Sequence, residues 1–257
     1  MNHGAITASL DIAQVALYLF WGFFAALVIY LHREGQREGY PLETADRSPN
    51  QLQEGLGGRP DPKTYLLPHG GTKTVPEAWK AGPPEQLKAR RLDRNPDSPL
   101  VPTGNPLLAG VGPGAWTERD DHPDLELTGT PKIVPLRSDP DYGVAKGDPD
   151  PRGKRVLGAD GKSGGICVDL WVDRSERLFR YFEVQLGDGS TVLLPWNFAT
   201  VAGDGTVKVG AILGSQFADV PKIRTPQQVT LREEDMIAGY YGAGTLYATP
   251  DRLGPLL

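Results

Sequence analysis

Residues 12–31 read IAQVALYLFWGFFAALVIYL, a run of twenty residues without a charged side chain. At a rise of about 1.5 Å per residue, a helix of this length reaches about 30 Å, the thickness of the hydrocarbon core of a bilayer. Only Gln14 interrupts the run, so the helix would be apolar on every face, unlike a helix packed on a protein core. The sequence therefore predicts a single transmembrane α-helix over residues 12–34, with Ser9 or Asp11 as its N-cap.

The flanks of this helix predict its orientation. Residues 1–11 contain no Lys or Arg, whereas Arg33, Arg37 and Arg47 follow the apolar run. Because basic residues concentrate on the cytoplasmic side of membrane helices, we expect the N-terminus in the periplasm and the main domain in the cytoplasm. The missing basic n-region also disfavours a cleaved signal peptide. Cys167 is the single cysteine, which excludes an internal disulfide and fits a reducing compartment.

Proline divides the remaining chain into two parts. Of the 24 prolines, 19 lie between Pro41 and Pro151, and five follow. Proline breaks helices and central strands, so this part is expected to run extended. A disordered linker is the alternative for such a composition. Spaced apolar residues favour instead a segment that wraps a partner surface, with these anchors: Tyr65-Leu66-Leu67, Val75, Trp79, Leu107-Leu108 and Trp116.

From about residue 152 the pattern changes to short runs of β-branched and aromatic residues. Four runs predict strands, at 166–172, 178–186, 191–195 and 207–213. Glycine-containing turns separate them, and Thr230-Leu-Arg-Glu233 is a capping box that opens a helix. We expect this helix to end near Gly242 or Gly244. The predicted fold is thus a small antiparallel barrel followed by a C-terminal helix.

Charge and motifs disfavour several functions. Residues 152–257 hold 12 basic and 12 acidic residues, so this domain has no positive field that would recruit nucleic acid or anionic lipid. The four histidines fall at no metal-ligand spacing, and no Gly-x-Ser-x-Gly elbow presents a nucleophile. Gly161-Lys162-Ser163 is not a phosphate loop, because Val156 occupies the position of the leading glycine. We therefore expect no metal site and no catalytic site.

Carboxylates are the remaining candidates for chemistry. Some crowd around His122, and others flank a predicted hairpin turn. The first set is Glu118, Asp120, Asp121, Asp124 and Glu126, and the second is Asp173 and Glu176. Such groups are usually solvated surface acids, but neighbouring carboxylates can also shift one another's titration towards neutrality and relay protons. The residues alone leave both interpretations open.

Six short motifs occur in order along the chain. They are REGYPLE (37–43), YLLPHGG (65–71), PTGNPL (102–107), GVGPGAW (110–116), GSTVLLP (189–195) and EED…GYY…YATP (233–250). In this order, behind a single N-terminal span, they resemble the H subunit of the photosynthetic reaction centre of purple bacteria. The resemblance covers nearly the whole chain and implies a PRC-barrel fold for the globular part. It also implies that the chain caps the cytoplasmic face of the L and M subunits, stabilises the quinone sites and assists proton delivery to the secondary quinone.

The same resemblance implies cofactors, partners and location. Bacteriochlorophyll, bacteriopheophytin, quinones and a non-haem iron would lie in the L and M subunits, and this chain would bind none of them directly. A bound cytochrome subunit, a light-harvesting complex and membrane lipids are further expected partners, whereas nucleic acid is not. The chain would be a non-catalytic, single-pass subunit of the bacterial inner (intracytoplasmic) membrane.

Residue roles follow from the resemblance by motif position. Glu176 corresponds to the family's proton-path glutamate and Arg180 to a nearby arginine. Glu126 falls where some members have an aspartate at the point of proton uptake, and Thr128 and Thr130 stand where those members have histidines. A different group would then take up the proton here, and the surface metal site of those members is not expected. The candidates for proton transfer are Glu176, Asp173, Glu126 and Arg180.

The predicted organisation has four parts. A periplasmic N-terminus (1–11) precedes the transmembrane helix (12–34), an extended surface-wrapping segment (35–115) and a mainly β, PRC-barrel-like cytoplasmic domain (116–257). The alternative function is a membrane-anchored PRC-barrel adaptor without a photosynthetic role. Pigment separates the two, because an adaptor would purify colourless.

Overall fold

The computed structural model describes residues 11–37, 61–75, 88–95, 97–117 and 119–253. These residues belong to two compact units, which divide between residues 85 and 86. Some sequence predictions lie outside the described residues, namely those at Ser9, Arg47, Trp79 and Glu118. The predicted boundaries of the four parts stay predictions.

The first unit contains the apolar helix α1, Ile12–Gly35, which is long and apolar enough to cross a membrane and buries none of its side chains. The Asp11 side chain accepts a hydrogen bond from the backbone N–H of Gln14 at 2.7 Å, so Asp11 is the N-cap, as predicted. An antiparallel hairpin follows, formed by β1 (Lys63–Leu66) and β2 (Thr72–Val75). The proline-rich segment therefore contains two short strands that pair with each other.

The second unit is built on a curled half-barrel sheet. A separate hairpin precedes it, formed by β3 (Ala89–Arg91) and β4 (Leu100–Pro102). The strands of the sheet are β5 (Ile133–Pro135), β6 (Arg155–Leu157), β7 (Ser163–Asp173), β8 (Leu178–Gln185), β9 (Thr191–Pro195), β10 (Ala199–Val201) and β11 (Val207–Val209). Their order across the sheet is β10-β11-β6-β7-β8-β9, and β5 pairs with β7 outside this path.

The eleven-residue strand β7 organises the sheet. One of its edges pairs first with β6 and then with β5, while β8 pairs along the other edge. The predicted strands at 166–172, 178–186 and 191–195 correspond to β7, β8 and β9. The run 207–213 is a strand only over Val207–Val209, and this strand pairs with β6 in parallel, so the sheet is not wholly antiparallel as expected.

The C-terminal helix α2, Leu231–Tyr247, begins at the predicted capping box. The Thr230 hydroxyl accepts from the backbone N–H of Glu233 at 3.1 Å, and the Glu233 carboxylate accepts from the backbone N–H of Thr230 at 2.9 Å. The helix does not end at Gly242 or Gly244 as expected. A Cβ at Gly242 would meet the carbonyl oxygen of Pro113, so this glycine serves close packing rather than termination.

Two expected anchors of the proline-rich segment pack within their own unit. Leu107 is buried in the core, and Trp116 lies beneath the guanidinium of Arg232, whose Cζ is 5.6 Å from the ring centroid. In the first unit, by contrast, Leu66 is 86% exposed and Leu67 is 42% exposed. The prediction that partners bury Leu66 and Leu67 stays open, whereas Leu107 and Trp116 have contacts in this chain.

Candidate functional site

The turn between β7 and β8 is held by the side chain of Asp173, the last residue of β7. Asp173 is completely buried, and its Oδ1 accepts hydrogen bonds from the backbone N–H groups of Ser175 at 3.0 Å and Glu176 at 2.9 Å. Arg177 completes the turn with a φ of 57°, in the left-handed region. The other carboxylate oxygen of Asp173, Oδ2, is buried and accepts no hydrogen bond. Buried carboxylate oxygens normally have a partner, so this atom marks the turn as a functional candidate.

Lys132 brings an ammonium group to this turn. It immediately precedes β5, whose register places Ile133 opposite Asp173. The Lys132 Nζ atom lies 3.5 Å from Asp173 Oδ2, 3.5 Å from Glu176 Oε1 and 3.7 Å from Asp124 Oδ2. Three carboxylates from two loops therefore surround one cation, and we call these four residues the Lys132 cluster.

The surroundings of Lys132 stabilise its charged form. Burial alone would lower the pKa of its ammonium group, but the attraction of Asp173, Asp124 and Glu176 outweighs burial and raises this pKa. When all four groups are ionised, their charges sum to −2. The three carboxylates thus share one ammonium group, and the cluster keeps a net negative charge.

Glu176 connects the Lys132 cluster with solvent. Its side chain is 49% exposed, whereas that of Asp173 is 0% exposed. Its second oxygen, Oε2, lies 3.9 Å from Nη1 of Arg180. The structure thus brings together three of the four predicted proton-transfer residues.

The fourth, Glu126, lies in the adjoining loop. Its Oε2 is 3.0 Å from Nη2 of Arg174 and accepts a hydrogen bond from the Thr130 hydroxyl at 3.0 Å. The hydroxyls of Thr130 and Thr128 are 2.9 Å apart. Glu126 is therefore paired with Arg174, the residue that follows Asp173 in the chain. The two threonines form a chain of hydroxyls that leads to the Glu126 carboxylate.

The acidic residues around His122 do not form one group. Asp120 Oδ2 lies 3.5 Å from Nε2 of His122. Asp121 forms an ion pair with Arg224, and Asp124 belongs to the Lys132 cluster. Asp121 and Glu126 thus pair with residues far away in sequence, and among the described members of this run only Asp124 and Glu126 reach the candidate site.

Sequence reasoning missed Lys132, Tyr181 and Glu234. The Tyr181 hydroxyl donates a hydrogen bond to Glu234 Oε2 at 2.7 Å. Burial raises the pKa of Glu234, although the hydrogen bond from Tyr181 and the attraction of Arg180 and Arg119 oppose this shift. Burial also holds the pKa of the Tyr181 hydroxyl well above its ordinary value. For these three residues the sequence provided only an indirect indication, which is that Lys132 lies in the same short stretch of chain as Asp124.

The described residues contain no group of three or more His, Cys, Asp or Glu side chains able to hold a metal ion. The thiol of Cys167 is buried in β7, and burial, with smaller contributions from Asp150 and Asp169, raises its pKa to about 12. A thiol in this state is a poor ligand and a poor nucleophile, because the thiolate is the reactive form. Cys167 is therefore a packing residue.

Comparison with known families gives two matches. A family described as "Photosynthetic reaction centre, H-chain N-terminal region" matches residues 4–138, and one described as "PRC-barrel domain" matches residues 144–213. The first covers more than half of the 257 residues, including α1, both hairpins, β5 and the Glu126 loop. The second covers β6 to β11.

Proposed function

Because the chain belongs to the family of photosynthetic reaction centre H chains, we propose that it caps the cytoplasmic face of the L and M subunits. In this proposal it stabilises the quinone sites and assists proton delivery to the secondary quinone. The apolar helix and the family fit a membrane-anchored protein. We place α1 across the inner (intracytoplasmic) membrane, with the N-terminus in the periplasm, because the basic residues follow the helix.

The buried Oδ2 of Asp173 is the observation that supports proton delivery. It forms an ion pair with Lys132 Nζ at 3.5 Å but accepts no hydrogen bond, so this buried oxygen is free to accept one from a proton donor. Glu176 is half exposed and lies at the same distance from Lys132, so it can exchange protons with solvent. The proposed route runs from Glu176 to Asp173 beside Lys132. Arg180 orients Glu176, and Glu126 supplies protons from the adjoining loop.

The redox cofactors belong, in this proposal, to the L and M subunits. There, bacteriochlorophyll, bacteriopheophytin, quinones and a non-haem iron carry out light-driven electron transfer. In this proposal the chain contributes binding surface and titratable side chains to the complex and is not itself the catalytic subunit. A bound cytochrome subunit and a light-harvesting complex are proposed as further neighbours.

Replacement of one titratable group tests proton delivery. Glu176→Gln keeps the shape of the side chain but removes its proton exchange. In the purified complex, we expect primary charge separation and the first electron transfer between quinones to keep their rates. The second, proton-coupled transfer should slow, and a tenfold slowing would correspond to about 1.4 kcal/mol of added barrier. Flash-induced absorption kinetics over a range of pH measure all three steps.

Asp148→Asn is the matched control, because it removes an exposed carboxylate from a loop outside the Lys132 cluster. An unchanged second transfer in Glu176→Gln would reduce Glu176 to a structural surface carboxylate. A colourless preparation would instead contradict the association with L and M and favour the adaptor function. The match over residues 4–138 supports the reaction-centre role, because an adaptor needs only the barrel.

A further inference from the structure

Two carboxylates lie side by side, almost completely buried, on neighbouring strands of the half-barrel sheet. The register of β7 and β8 places Asp169 opposite Glu183. Their side chains are 6% and 9% exposed. Like charges directly opposite each other destabilise a sheet, and the loss of hydration on burial adds to this cost. This pair of carboxylates therefore needs a cation close to it.

The cation is the guanidinium group of Arg137, which lies shortly after β5. Its Nη1 donates to Asp169 Oδ2 at 2.9 Å and to Glu183 Oε2 at 2.5 Å. The backbone N–H of Arg137 also donates to Asp169 Oδ2, at 3.2 Å. Its Nη2 donates to the carbonyl oxygen of Pro226, in the loop before α2, at 2.9 Å. One arginine side chain thus contacts β7, β8 and this loop.

Hydrogen bonds that do not involve Arg137 also hold the two carboxylates. Asp169 Oδ1 accepts from the backbone N–H of Leu170 at 2.8 Å. Glu183 Oε2 accepts from the indole Nε1–H of Trp171 at 2.9 Å. The backbone of both acidic residues is fixed by the pairing of β7 with β8. The carboxylates are therefore held in place independently of the arginine, as in a preorganised binding site.

The arginine, unlike the carboxylates, reaches solvent. The side chain of Arg137 is 43% exposed, so its truncation would open a path from solvent to two buried negative charges. Arg152 also interacts electrostatically with Asp169, but its guanidinium is paired with Asp150 at 2.6 Å. A cation from solution could therefore take the place of the removed guanidinium group.

The contact also joins the two regions that match known families. Arg137 lies at the end of the region 4–138, whereas Asp169 and Glu183 lie in the barrel region 144–213. We propose that Asp169 and Glu183 form a guanidinium-binding site on the barrel, which takes an arginine side chain from a neighbouring segment, here Arg137. This inference goes beyond the proposed function and does not depend on it.

The hydrogen bonds of this site select a guanidinium group over an ammonium group. Nη1 of Arg137 donates to both carboxylates, while Nη2 donates to the carbonyl oxygen of Pro226. A guanidinium presents these separate donors in one rigid plane, whereas an ammonium has a single nitrogen. We therefore expect Arg137→Lys to keep the attraction to the carboxylates but to lose the bond to Pro226.

Chemical rescue of the full chain in mild detergent tests the proposal. Arg137→Ala removes the guanidinium group, and the probe, ethylguanidinium chloride, supplies the atoms that this substitution removes. We expect the variant to melt at a lower temperature and the probe to raise this temperature with saturation. At about ten times its dissociation constant, the probe should raise the ratio of folded to unfolded chain about elevenfold. Sodium chloride at the same concentration controls for ionic strength and should not restore the loss.

Two proteins control for effects outside the site. The unsubstituted chain, whose site is filled by Arg137, should gain no stability from ethylguanidinium. Arg155→Ala removes an exposed arginine from β6 in the same sheet and should show no rescue. The indole N–H resonance of Trp171, identified by its absence in Trp171→Phe, reports on the site directly. This resonance should shift when ethylguanidinium is added to Arg137→Ala.

A variant without the two negative charges separates binding from folding. The triple variant Arg137→Ala, Asp169→Asn, Glu183→Gln should be more stable than Arg137→Ala and should not respond to ethylguanidinium. An equal response of these two variants would overturn the proposal, because the probe would then bind elsewhere. Arg137→Ala as stable as the unsubstituted chain would also overturn it, and so would an Arg137→Ala variant that ethylguanidinium neither stabilises nor refolds.

Discussion

At the scale of single residues, Asp173 combines a structural task with a proposed chemical one. Its Oδ1 pairs two backbone N–H groups of the turn, while its Oδ2 faces Lys132 without a hydrogen bond. The two oxygens of one carboxylate are therefore used differently. Substitutions that keep one function and remove the other can separate turn stability from proton delivery.

We expect Asp173→Ala to lower the free energy of unfolding by about 1–3 kcal/mol, because it removes the acceptor of the two backbone hydrogen bonds that hold the turn. Asp173→Asn keeps an oxygen for these donors and should cost less. Both variants should slow the proton-coupled second electron transfer, since neither has a carboxylate. Chemical denaturation of the chain and flash kinetics of the complex measure the two effects. A normal second transfer in Asp173→Asn would show that Asp173 is only a turn residue.

Glu234 gives a pH dependence whose direction follows from its raised pKa. The folded state holds the proton of Glu234 to a higher pH than the unfolded state, whose ordinary value is 4.5. Stability relative to Glu234→Gln is therefore greatest below pH 4.5, and it falls as the pH rises from there through the raised folded pKa. Urea denaturation of both proteins at several pH values measures this difference. A stability difference that rises with pH over that interval would contradict it.

The candidate site could be predicted from sequence only in part. Asp173, Glu176 and Arg180 lie close together in sequence, at the end of β7, in the following turn and in β8, so local sequence brings them together. Lys132 reaches them only because β5 pairs with the end of β7, and a three-residue strand carries no periodicity that would reveal this pairing. Glu234 reaches Tyr181 through the packing of α2, which local sequence does not specify.

At the scale of elements, small residues decide how α2 packs. A Cβ at Gly114 would lie 2.7 Å from the Cβ of Ala243, and a Cβ at Gly239 would lie 3.0 Å from the carbonyl oxygen of Gly114. The turn Gly112–Gly114 therefore contacts the helix backbone at a distance that larger residues would prevent. Of the two glycines predicted to mark the end of α2, Gly242 packs against this turn at Pro113, whereas Gly244 packs against Ala211 and Ile212.

Gly114→Ala tests this contact. We expect it to lower the free energy of unfolding by about 1–3 kcal/mol, the usual cost of overpacking. Gly143→Ala is the matched control, because nothing lies within 4 Å of its added Cβ. The double variant Gly114→Ala, Ala243→Gly should regain part of the loss, since it removes the group that clashes. Thermal denaturation measures all three, and equal stability of the first two variants would contradict the packing argument.

The sequence predicted some of the helices and strands but not others. The strands β7, β8 and β9 and the start of α2 carry strong local signals, namely β-branched runs, glycine turns and a capping box. Short strands such as β6 and β10 have three residues each, and their pairing depends on partners distant in sequence. The parallel pairing of β11 with β6 could not be predicted, because local pattern does not determine which strands become neighbours.

At the scale of the whole molecule, the two units differ in what they bury. The second unit holds the large apolar core, which includes Trp171, Phe182 and Tyr241. In the first unit, α1 buries none of its residues, and the hairpin exposes Leu66. Apolar surface of this kind is stable when lipid or another protein covers it. The stability of the first unit therefore depends more on a surrounding lipid or protein than the stability of the second unit does.

The orientation of α1 gives the last prediction. With the N-terminus in the periplasm, trypsin added to intact right-side-out spheroplasts should not cleave at exposed sites such as Lys73 and Arg90. Lysis of the spheroplasts should make both sites accessible. An epitope tag placed before Met1 and removed by proteinase K in intact spheroplasts is the control that the periplasmic face is open to protease. Cleavage at Lys73 or Arg90 before lysis would contradict the orientation, because the basic residues after α1 would then lie on the periplasmic side.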